Sequence, residues 1–358
     1  MTLSELQDDC IFSDRGGIIE NTHRIHAAVT DATGKLLYAV GNPSRMTLAR
    51  SAAKPVQILA LLEIEGFDKF GFDDSDLALM CSSHSSEERH VQRVRSMLAK
   101  IQAEEQQMRC GGHAAMSEVV NKEWIRQNFV PGPLCNNCSA KHTAMLAGAK
   151  ALGKDEEYHL PQHEVQKRVR RTFDGLSGLS SGEIKWGTDG CSLPAPALPL
   201  SNISHLYAVL ADAADLVARD SSSVSQRTIH LANMYEAMWR FPEMVRGEGR
   251  FCRELMLKYD GAVVGKLGAD GCYGVAVKDS DDTRWLGANS GIGIAVKVED
   301  GNEEILYVAV MEILKQLSIR SEEKRQALAG FQDLQRVNTA GVVTGKVSCS
   351  FKVRKAWK

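Results

Sequence analysis

Apolar residues recur along the chain in two periods, which predict strands near its ends and helices between them. Ile25 to Val29 and Lys35 to Val40 have the pattern of two strands joined by a turn at Asp31 to Gly34, where glycine allows the positive φ that a tight hairpin needs. The same strand pattern returns near the carboxyl end, over Gly271 to Lys278, Gly291 to Val298 and Gly341 to Val353.

Helical spacing dominates the middle of the chain. Val56 to Ile64 is almost wholly apolar and is followed by Gly66, as in a buried helix with a glycine cap. A short strand is expected at Leu77 to Met80, and Ser85 to Glu88 forms a capping-box pattern before a helix at Glu87 to Ile101. Further helices are predicted at Ser139 to Leu152, along a stripe within 206–217, and at Ile305 to Leu317.

This order of elements favours an α+β fold in which the two ends of the chain build one sheet around a helical insertion. We expect the sheet from about 10–60 and 260–358 and a mainly helical region from about 61–259. No internal repeat or Pro-rich linker interrupts the 358 residues. The whole chain, 1–358, is therefore expected to form a single catalytic unit whose two subdomains share one cleft.

Charge and composition narrow the possible functions. With 43 basic and 45 acidic residues the net charge is −2, which does not fit the broad basic footprint of a nonspecific nucleic-acid binder. No apolar run reaches the roughly 18 residues of a membrane span, and residues 1–10 lack the pattern of a secretory signal. The nine cysteines are an odd number and thinly spread, which favours a cytoplasmic protein with mostly buried thiols.

The first candidate site is the run from Arg50 to Gln57, which contains Ser51 and Lys54. Residues three apart on a helix share one face, so the lysine amine is expected to take the proton of the serine hydroxyl. Pro55 is tolerated only in the first turn, so the helix is predicted to begin near Ser51, where an oxyanion would meet backbone N–H groups. The same spacing at Ser321 and Lys324 is interpreted as an ordinary capped, solvated helix start.

Three other clusters offer polar groups for a cleft. In Cys81 to Glu87, Ser85 and Ser86 are interpreted as helix caps, whereas Ser83 and His84 are expected to face a ligand. Lys266 lies between Gly265 and Gly268 in a predicted turn before a strand, where glycines allow the backbone to approach a cleft and where a solvated turn lysine is the alternative.

Cysteines form the last cluster. Cys135 and Cys138 have C-x-x-C spacing, and Cys191 is the best remote partner. Three protein ligands with one open position describe a non-structural zinc site, and buried thiols without metal are the alternative.

Taken in order, these motifs resemble those of the thermolabile, Rhizobium-type L-asparaginase II family. The resemblance rests on five runs, supported by Ile18–Arg24 and Arg240–Arg246, and it extends from about residue 16 to about 345. The five runs are Arg-Ser-x-x-Lys-Pro-x-Gln, Ser-His-Ser-x-Glu, Asn-Asn-Cys-Ser-x-Lys-His, Asp-Gly-Cys, and Lys-x-Gly-Ala-Asp-Gly.

The resemblance implies a fold akin to serine β-lactamases and penicillin-binding proteins, hydrolysis of asparagine to aspartate and ammonia, and a homodimer. It also implies two Ser–Lys tandems and a zinc ion with water as its fourth ligand. The residues to which these features map are Ser51 with Lys54, Ser83 with Lys266, and Cys138, Lys141 and Cys191 for the metal.

From these residues we expect a serine mechanism. Lys54, kept neutral by burial and a second lysine, would deprotonate Ser51, and Ser83 would pass a proton to the departing ammonia. Asp189 is expected to bind the substrate ammonium and Arg50 its carboxylate.

Three departures from the family pattern leave the substrate open. Ala140 and Ser192 stand where glycine is common, and Asp270 where glutamate is frequent. The alternatives are a hydrolase or transferase acting on another small amide in specialised metabolism, a β-lactamase-like enzyme, and a non-catalytic zinc-holding homologue. Neither Lys-[Ser/Thr]-Gly nor Ser-Asp-Asn occurs, which argues against the β-lactamase-like enzyme.

Overall fold

The computed structural model describes residues 9–154, 157–180 and 182–356. The segment on which most of the prediction about a secretory signal rests, residues 1–8, lies outside this range. The strands are β1 Cys10–Arg15, β2 Ile18–Asp31, β3 Leu36–Val40, β4 Met46–Leu48, β5 Lys185–Thr188, β6 Pro194–Pro199, β7 Val263–Gly268, β8 Cys272–Val277, β9 Ile292–Val298, β10 Gln335–Val337, β11 Val343–Cys349 and β12 Arg354–Lys355.

The α-helices lie mainly between β4 and β7. They are α1 Lys54–Leu62, α2 Asp74–Met80, α3 Glu88–Lys100, α4 Glu118–Arg126, α5 Ser139–Ala151, α6 Glu164–Ser177, α7 Leu200–Arg219, α8 Gln226–Arg240, α9 Pro242–Val245, α10 Phe251–Lys258, α11 Asp281–Trp285, α12 Glu303–Gln316 and α13 Glu322–Gln326. None of the helices within the described residues is long and apolar enough to cross a bilayer.

The sheet unit is built from the two ends of the chain, with residues from Met1–Ala49, Leu198–Asp212 and Lys258–Lys358. Its strands follow the order β10-β11-β1-β2-β9-β8-β7, and β3 pairs with both β2 and β12. Adjacent strands run antiparallel, as in the registers of Ala28 with Ala295 and of Lys266 with Gly274. The predicted α+β class, with N- and C-terminal strands in one sheet, is therefore confirmed.

Close packing covers the side of this sheet that ends in β7. β7 and β8 are buried at every residue. A Cβ atom on Gly274 would overlap the Tyr207 ring, and one on Gly293 would overlap the Ser204 carbonyl. Glycine is thus required at both positions for the first part of α7 to pack directly on β8 and β9.

The second unit contains Arg50–Ala197 and Ala213–Leu257 and is mainly helical. α5 forms its centre, since Ser139 to Ala149 are all buried and α1, α2, α3 and α6 all pack against this helix. Eight of the nine cysteines of the chain are buried and Cys349 is partly exposed, in agreement with the prediction that most thiols lie in the interior.

Three local predictions are wrong. Leu77 to Met80 ends the helix α2 and is not a strand, because Asp73 and Asp76 form a reciprocal capping box that starts this helix. The second wrong prediction is the capping box from Ser85 to Glu88. α3 begins after Glu87, whose N–H donates to His90, and the Ser85 hydroxyl instead accepts from the Gly247 N–H.

The third concerns the lysine between two glycines. Lys266 lies inside β7 and is fully buried, not in a turn before a strand. The glycines on either side of it are strand residues, and a buried antiparallel strand can contain glycine where neighbouring elements pack closely.

Candidate active site

A short 3-10 turn at Arg50–Ala53 leads directly into α1, with Pro55 in the first helical turn. The helix start predicted near Ser51 is therefore confirmed. The Ser51 side chain is partly exposed, and its hydroxyl makes no hydrogen bond to the part of the chain that the structure describes. Lys54, three residues later, is fully buried.

The amine of Lys54 lies against the loop that follows α2. Its Nζ donates to the Ser82 carbonyl and to the Ser83 Oγ, at 3.2 Å from that oxygen. The hydroxyl that Lys54 contacts is thus that of Ser83, whereas sequence spacing pairs this lysine with Ser51. The start of α1 and this loop thus bring Lys54 and Ser83 together, and the pairing of Lys54 with Ser51 stays a prediction.

Burial shifts the pKa of Lys54. Removal of the amine from water lowers its pKa, and the positive charge of Lys141 acts in the same direction, against the nearby Cys138 and Cys191 sulfurs. A lysine with a lowered pKa has a larger fraction of neutral amine, and only the neutral amine can accept a proton.

His84 is fully buried beside Ser83. Its Nδ1 accepts from the Ser86 N–H, so the proton of the neutral ring lies on Nε2, 2.7 Å from the Ser139 hydroxyl. Burial lowers the pKa of His84 well below its ordinary value, and the positive charges around it, including stacked His90, lower it further. Both nitrogens have protein partners, and a contact of His84 with substrate stays a prediction.

Arg50 and Asp189 form an ion pair, with Nε 2.8 Å from Oδ1. Burial would raise the pKa of Asp189, but the Lys141 charge and the hydrogen bond from Arg50 lower it, so this carboxylate is ionised. The two residues predicted to bind opposite ends of the substrate therefore bind each other in this structure.

Cys138, Lys141 and Cys191, the set that the family resemblance implies, lie close together. Lys141 Nζ lies 3.4 Å from Cys191 Sγ. The Cys138 thiol lowers the pKa of Cys191 to about 5 through a hydrogen bond, against the effect of burial. Burial would lower the pKa of Lys141, but the two sulfurs and Asp189 raise it above its ordinary value. Two sulfurs and one amine thus meet within one buried cluster.

One distance in this cluster matches the spacing of two zinc ligands, and zinc binding itself stays a prediction. Tetrahedral zinc separates a nitrogen ligand from a sulfur ligand by about 3.6 Å, close to the observed contact between Lys141 and Cys191. Within residues 9–154, 157–180 and 182–356, no group of three His, Cys, Asp or Glu side chains is placed to hold a metal. A zinc ion held by the two sulfurs would therefore need the deprotonated Lys141 amine as its third protein ligand.

Strained backbone marks the predicted motifs. Arg50, Ser86 and Ser192 have φ angles of +49°, +62° and +71°, although none of them is glycine. Ser192 follows Cys191 in the turn closed by its N–H to the Asp189 carbonyl. A left-handed conformation explains why glycine would suit this position, and such strain persists only where surrounding contacts hold it.

Ala140, another departure from the family pattern, is fully buried in the first turn of α5. Lys266 lies in the sheet unit, with its Nζ donating to the Leu267 carbonyl at 2.6 Å. Its predicted pairing with Ser83 stays a prediction.

Sequence reasoning missed the support behind Ser83. Arg246 is almost fully buried and donates from Nη1 to the Ser83 carbonyl at 2.7 Å. The only sequence signal was the family-like run Arg240 to Arg246, which does not say which residue that arginine contacts.

Comparison with protein-family models matches residues 11–349 to L-asparaginase II. No curated protein matches significantly. Among solved structures, one titled as native Mglu in 4.3 M NaCl is 13% identical with a TM-score of 0.44, over 84% of this chain and 63% of that one. A second native Mglu structure is 12% identical with a TM-score of 0.42, over 83% and 65%.

A probable glutaminase from Bacillus subtilis is 13% identical with a TM-score of 0.34, over 78% of this chain and 82% of that one. The chain thus spans less than two thirds of the length of the two Mglu structures. At TM-scores below 0.5 these likenesses contribute nothing to the assignment of function.

Proposed function

Because this chain belongs to the L-asparaginase II family, we propose that it is an amidohydrolase that converts L-asparagine to L-aspartate and ammonia. The observation that carries the mechanism is a fully buried amine, Lys54 Nζ, placed 3.2 Å from Ser83 Oγ and three residues after Ser51. A neutral amine in this position can accept a proton from one hydroxyl and pass one to the other.

In the first step Ser51 attacks the side-chain amide. Lys54 takes the proton of Ser51, the serine oxygen bonds to the amide carbon, and the carbonyl electron pair moves onto oxygen. Ser51 suits this role because it is partly exposed and lies in the turn that begins α1, where backbone N–H groups favour a developing negative charge.

In the second step the carbon–nitrogen bond breaks. Ser83 gives its hydroxyl proton to the nitrogen, which leaves as ammonia, and regains a proton from the Lys54 ammonium across the 3.2 Å contact. The net result is transfer of one proton from Ser51, through Lys54 and Ser83, to the leaving ammonia. A β-aspartyl ester remains on Ser51.

Water completes the cycle through the same residues. It loses a proton to the Ser83–Lys54 relay as its oxygen bonds to the acyl carbon, and the ester bond to Ser51 breaks. Ser51 regains its proton from Lys54, and L-aspartate is released.

The ion pair of Arg50 and Asp189 suits a zwitterionic substrate. An α-amino acid presents a carboxylate and an ammonium one carbon apart, which can replace the two halves of this pair. In the proposed complex Asp189 holds the ammonium and Arg50 the carboxylate, so neither charge is left unpaired.

Zinc held by Cys138, Lys141 and Cys191 is part of the proposal. When bound, the ion would fix the wall that carries Asp189, two residues before Cys191, and would supply a positive charge there. No proton transfer in the mechanism passes through it. Lys266 as the partner of Ser83 and a homodimer are proposed on the family resemblance alone. A cytoplasmic location is proposed on the number and spread of the cysteines.

One observation favours a second assignment of the nucleophile. Lys54 is hydrogen-bonded to Ser83 and not to Ser51, so the same base could activate Ser83. In that case Ser83 would carry the acyl group, and Ser51 would be needed only for binding.

The experiment that tests the proposed function is ammonia release from asparagine, glutamine and other small amides by the wild type and Ser51→Ala. We expect turnover of asparagine by the wild type and a loss of about 1000-fold or more in the variant. Ser321→Ala is the matched control, because Ser321 has the same Ser-x-x-Lys spacing but caps the surface helix α13. Near-wild-type turnover by Ser51→Ala contradicts the assignment.

A further inference from the structure

The loop that carries Ser83 is held along its length by the segment that follows α9. The Ser83 N–H donates to the Val245 carbonyl at 3.2 Å, and the Gly247 N–H donates to the Ser85 hydroxyl at 3.2 Å. The Glu248 N–H donates to a Glu87 carboxylate oxygen at 2.8 Å. Residues 245, 247 and 248 therefore bind residues 83, 85 and 87 in the same order along the chain.

Arg246 adds a charged group to this contact. Its side chain is 1% exposed, and its Nη1 donates to the Ser83 carbonyl at 2.7 Å. A guanidinium in a water-excluded interior makes a stronger hydrogen bond than a neutral donor, and its planar shape fixes the direction of that bond. The backbone of Ser83 is thus held on both its N–H and its carbonyl.

The opposite side of the same residue faces Lys54, which contacts Ser83 Oγ and the Ser82 carbonyl. A shift of the Ser83 backbone would change the 3.2 Å distance between Oγ and Nζ. The two segments pack closely at Gly247, because a Cβ atom there would overlap Ser85 and Glu87.

We propose that Arg246 is a positioning residue, which fixes the backbone of Ser83 so that its hydroxyl stays within proton-transfer distance of Lys54. This inference rests on the proposed function, in which Ser83 protonates the departing ammonia. Arg246 touches no reacting atom and acts through Ser83.

The test uses the need of the leaving group for a proton. Ammonia leaves only when protonated, whereas the phenolate of an aryl ester of the aspartate side chain leaves unprotonated. We expect Arg246→Lys and Arg246→Gln to lower kcat for asparagine by about 10- to 100-fold, with KM little altered, and to change the rate of the first phenolate release from the aryl ester much less, because only this acylation step needs no proton from Ser83. Ser83→Ala should show the same contrast between asparagine turnover and the first phenolate release.

Arg253→Lys is the matched control, because Arg253 pairs with Glu248 of the same segment but makes no hydrogen bond to Ser83. A second measurement, amide hydrogen exchange of the peptide spanning 81–87, does not depend on activity. Exchange there should be faster in both Arg246 variants than in Arg253→Lys.

Equal losses on both substrates would show a general structural role, and unchanged kcat or unchanged exchange would also overturn the inference. The proposed function fails in a different way, through a wild type that releases no ammonia from asparagine. In that event the exchange measurement still decides whether Arg246 holds the Ser83 loop.

Discussion

Lys54 Nζ lies 3.2 Å from Ser83 Oγ, although the two residues are 29 positions apart in the sequence. The same amine also contacts the Ser82 carbonyl. One buried amine thereby joins two serine motifs that are far apart in sequence. In the proposed mechanism this contact passes the proton of Ser51 to the leaving group. Lys54 therefore serves both the attack of Ser51 and the departure of ammonia.

The first prediction concerns Lys54 itself. Lys54→Met keeps an unbranched side chain of similar length without a base, and Lys54→Arg keeps a cation that cannot be deprotonated in a protein. Both should lower kcat for asparagine by about 1000-fold or more, because base and nucleophile act as a unit. The measurement is ammonia release, with unfolding in urea as the control for stability. An arginine variant with near-wild-type kcat contradicts the role of a neutral amine.

Asp189 gives the second prediction. If its carboxylate binds the substrate ammonium, Asp189→Asn should raise KM for asparagine by about 10-fold or more, since a charged hydrogen bond is lost. Succinamic acid, which is asparagine without the amino group, should bind the wild type weakly and should lose little further in the variant. The comparison of KM for the two substrates checks this, and equal losses on both would assign Asp189 only to holding Arg50.

Zinc gives the third. Wild-type protein prepared without chelator should contain about one zinc per chain by elemental analysis, and Cys138→Ala and Cys191→Ala should contain little. Because the thiols and the Lys141 amine must lose protons to bind metal, zinc content should fall as the pH of dialysis falls. Cys110→Ala is the control, since this buried thiol donates to the Pro133 carbonyl. Equal zinc in all variants would contradict the site.

His84 gives the fourth prediction, a pH dependence of stability. Its folded pKa lies well below the ordinary value of 6.5, so below about pH 6.5 the unfolded chain binds a proton that the folded one does not. The contribution of a neutral His84 is therefore complete above pH 6.5. It is lost on acidification by up to about 1.4 kcal/mol per pH unit.

His84→Asn should reduce this acid dependence while keeping an oxygen that can accept from the Ser86 N–H. Urea unfolding at several values between pH 5 and 8 measures the free energy of unfolding for both proteins. Identical slopes in the two would show that His84 is not neutral in the folded state.

Sequence patterns predicted much of this fold because buried apolar residues recur with the period of a strand or a helix. The strands around Ala28 and Ala295 and the helix from Ser139 follow apolar runs that no competing signal interrupts. The strand predicted at Leu77 to Met80 was wrong, since four apolar residues cannot distinguish a strand from the end of a helix whose first turn is set by aspartates. At Lys266 the neighbouring glycines predicted a turn, but they lie in a buried strand.

The site was predictable as a set of motifs but not as a set of contacts. Spacing placed Ser51 beside Lys54 because a helix fixes residues three apart. No local rule could show that the amine of Lys54 binds Ser83, or that Arg246 binds the Ser83 carbonyl, since these contacts depend on how distant segments pack. Ion pairing of Arg50 with Asp189 was hidden for the same reason.

The most direct test of the central claim, that Ser51 is the nucleophile served by Lys54, is to locate the acyl group. Ser83→Ala, treated with an aryl ester of the aspartate side chain, should acylate without a proton donor and deacylate slowly. Mass spectrometry of peptides after acid quenching should then find one β-aspartyl group on Ser51, and none in the Ser51→Ala variant. An acyl group on Ser83 in the Ser51→Ala variant, or none on Ser51 in Ser83→Ala, would contradict the account.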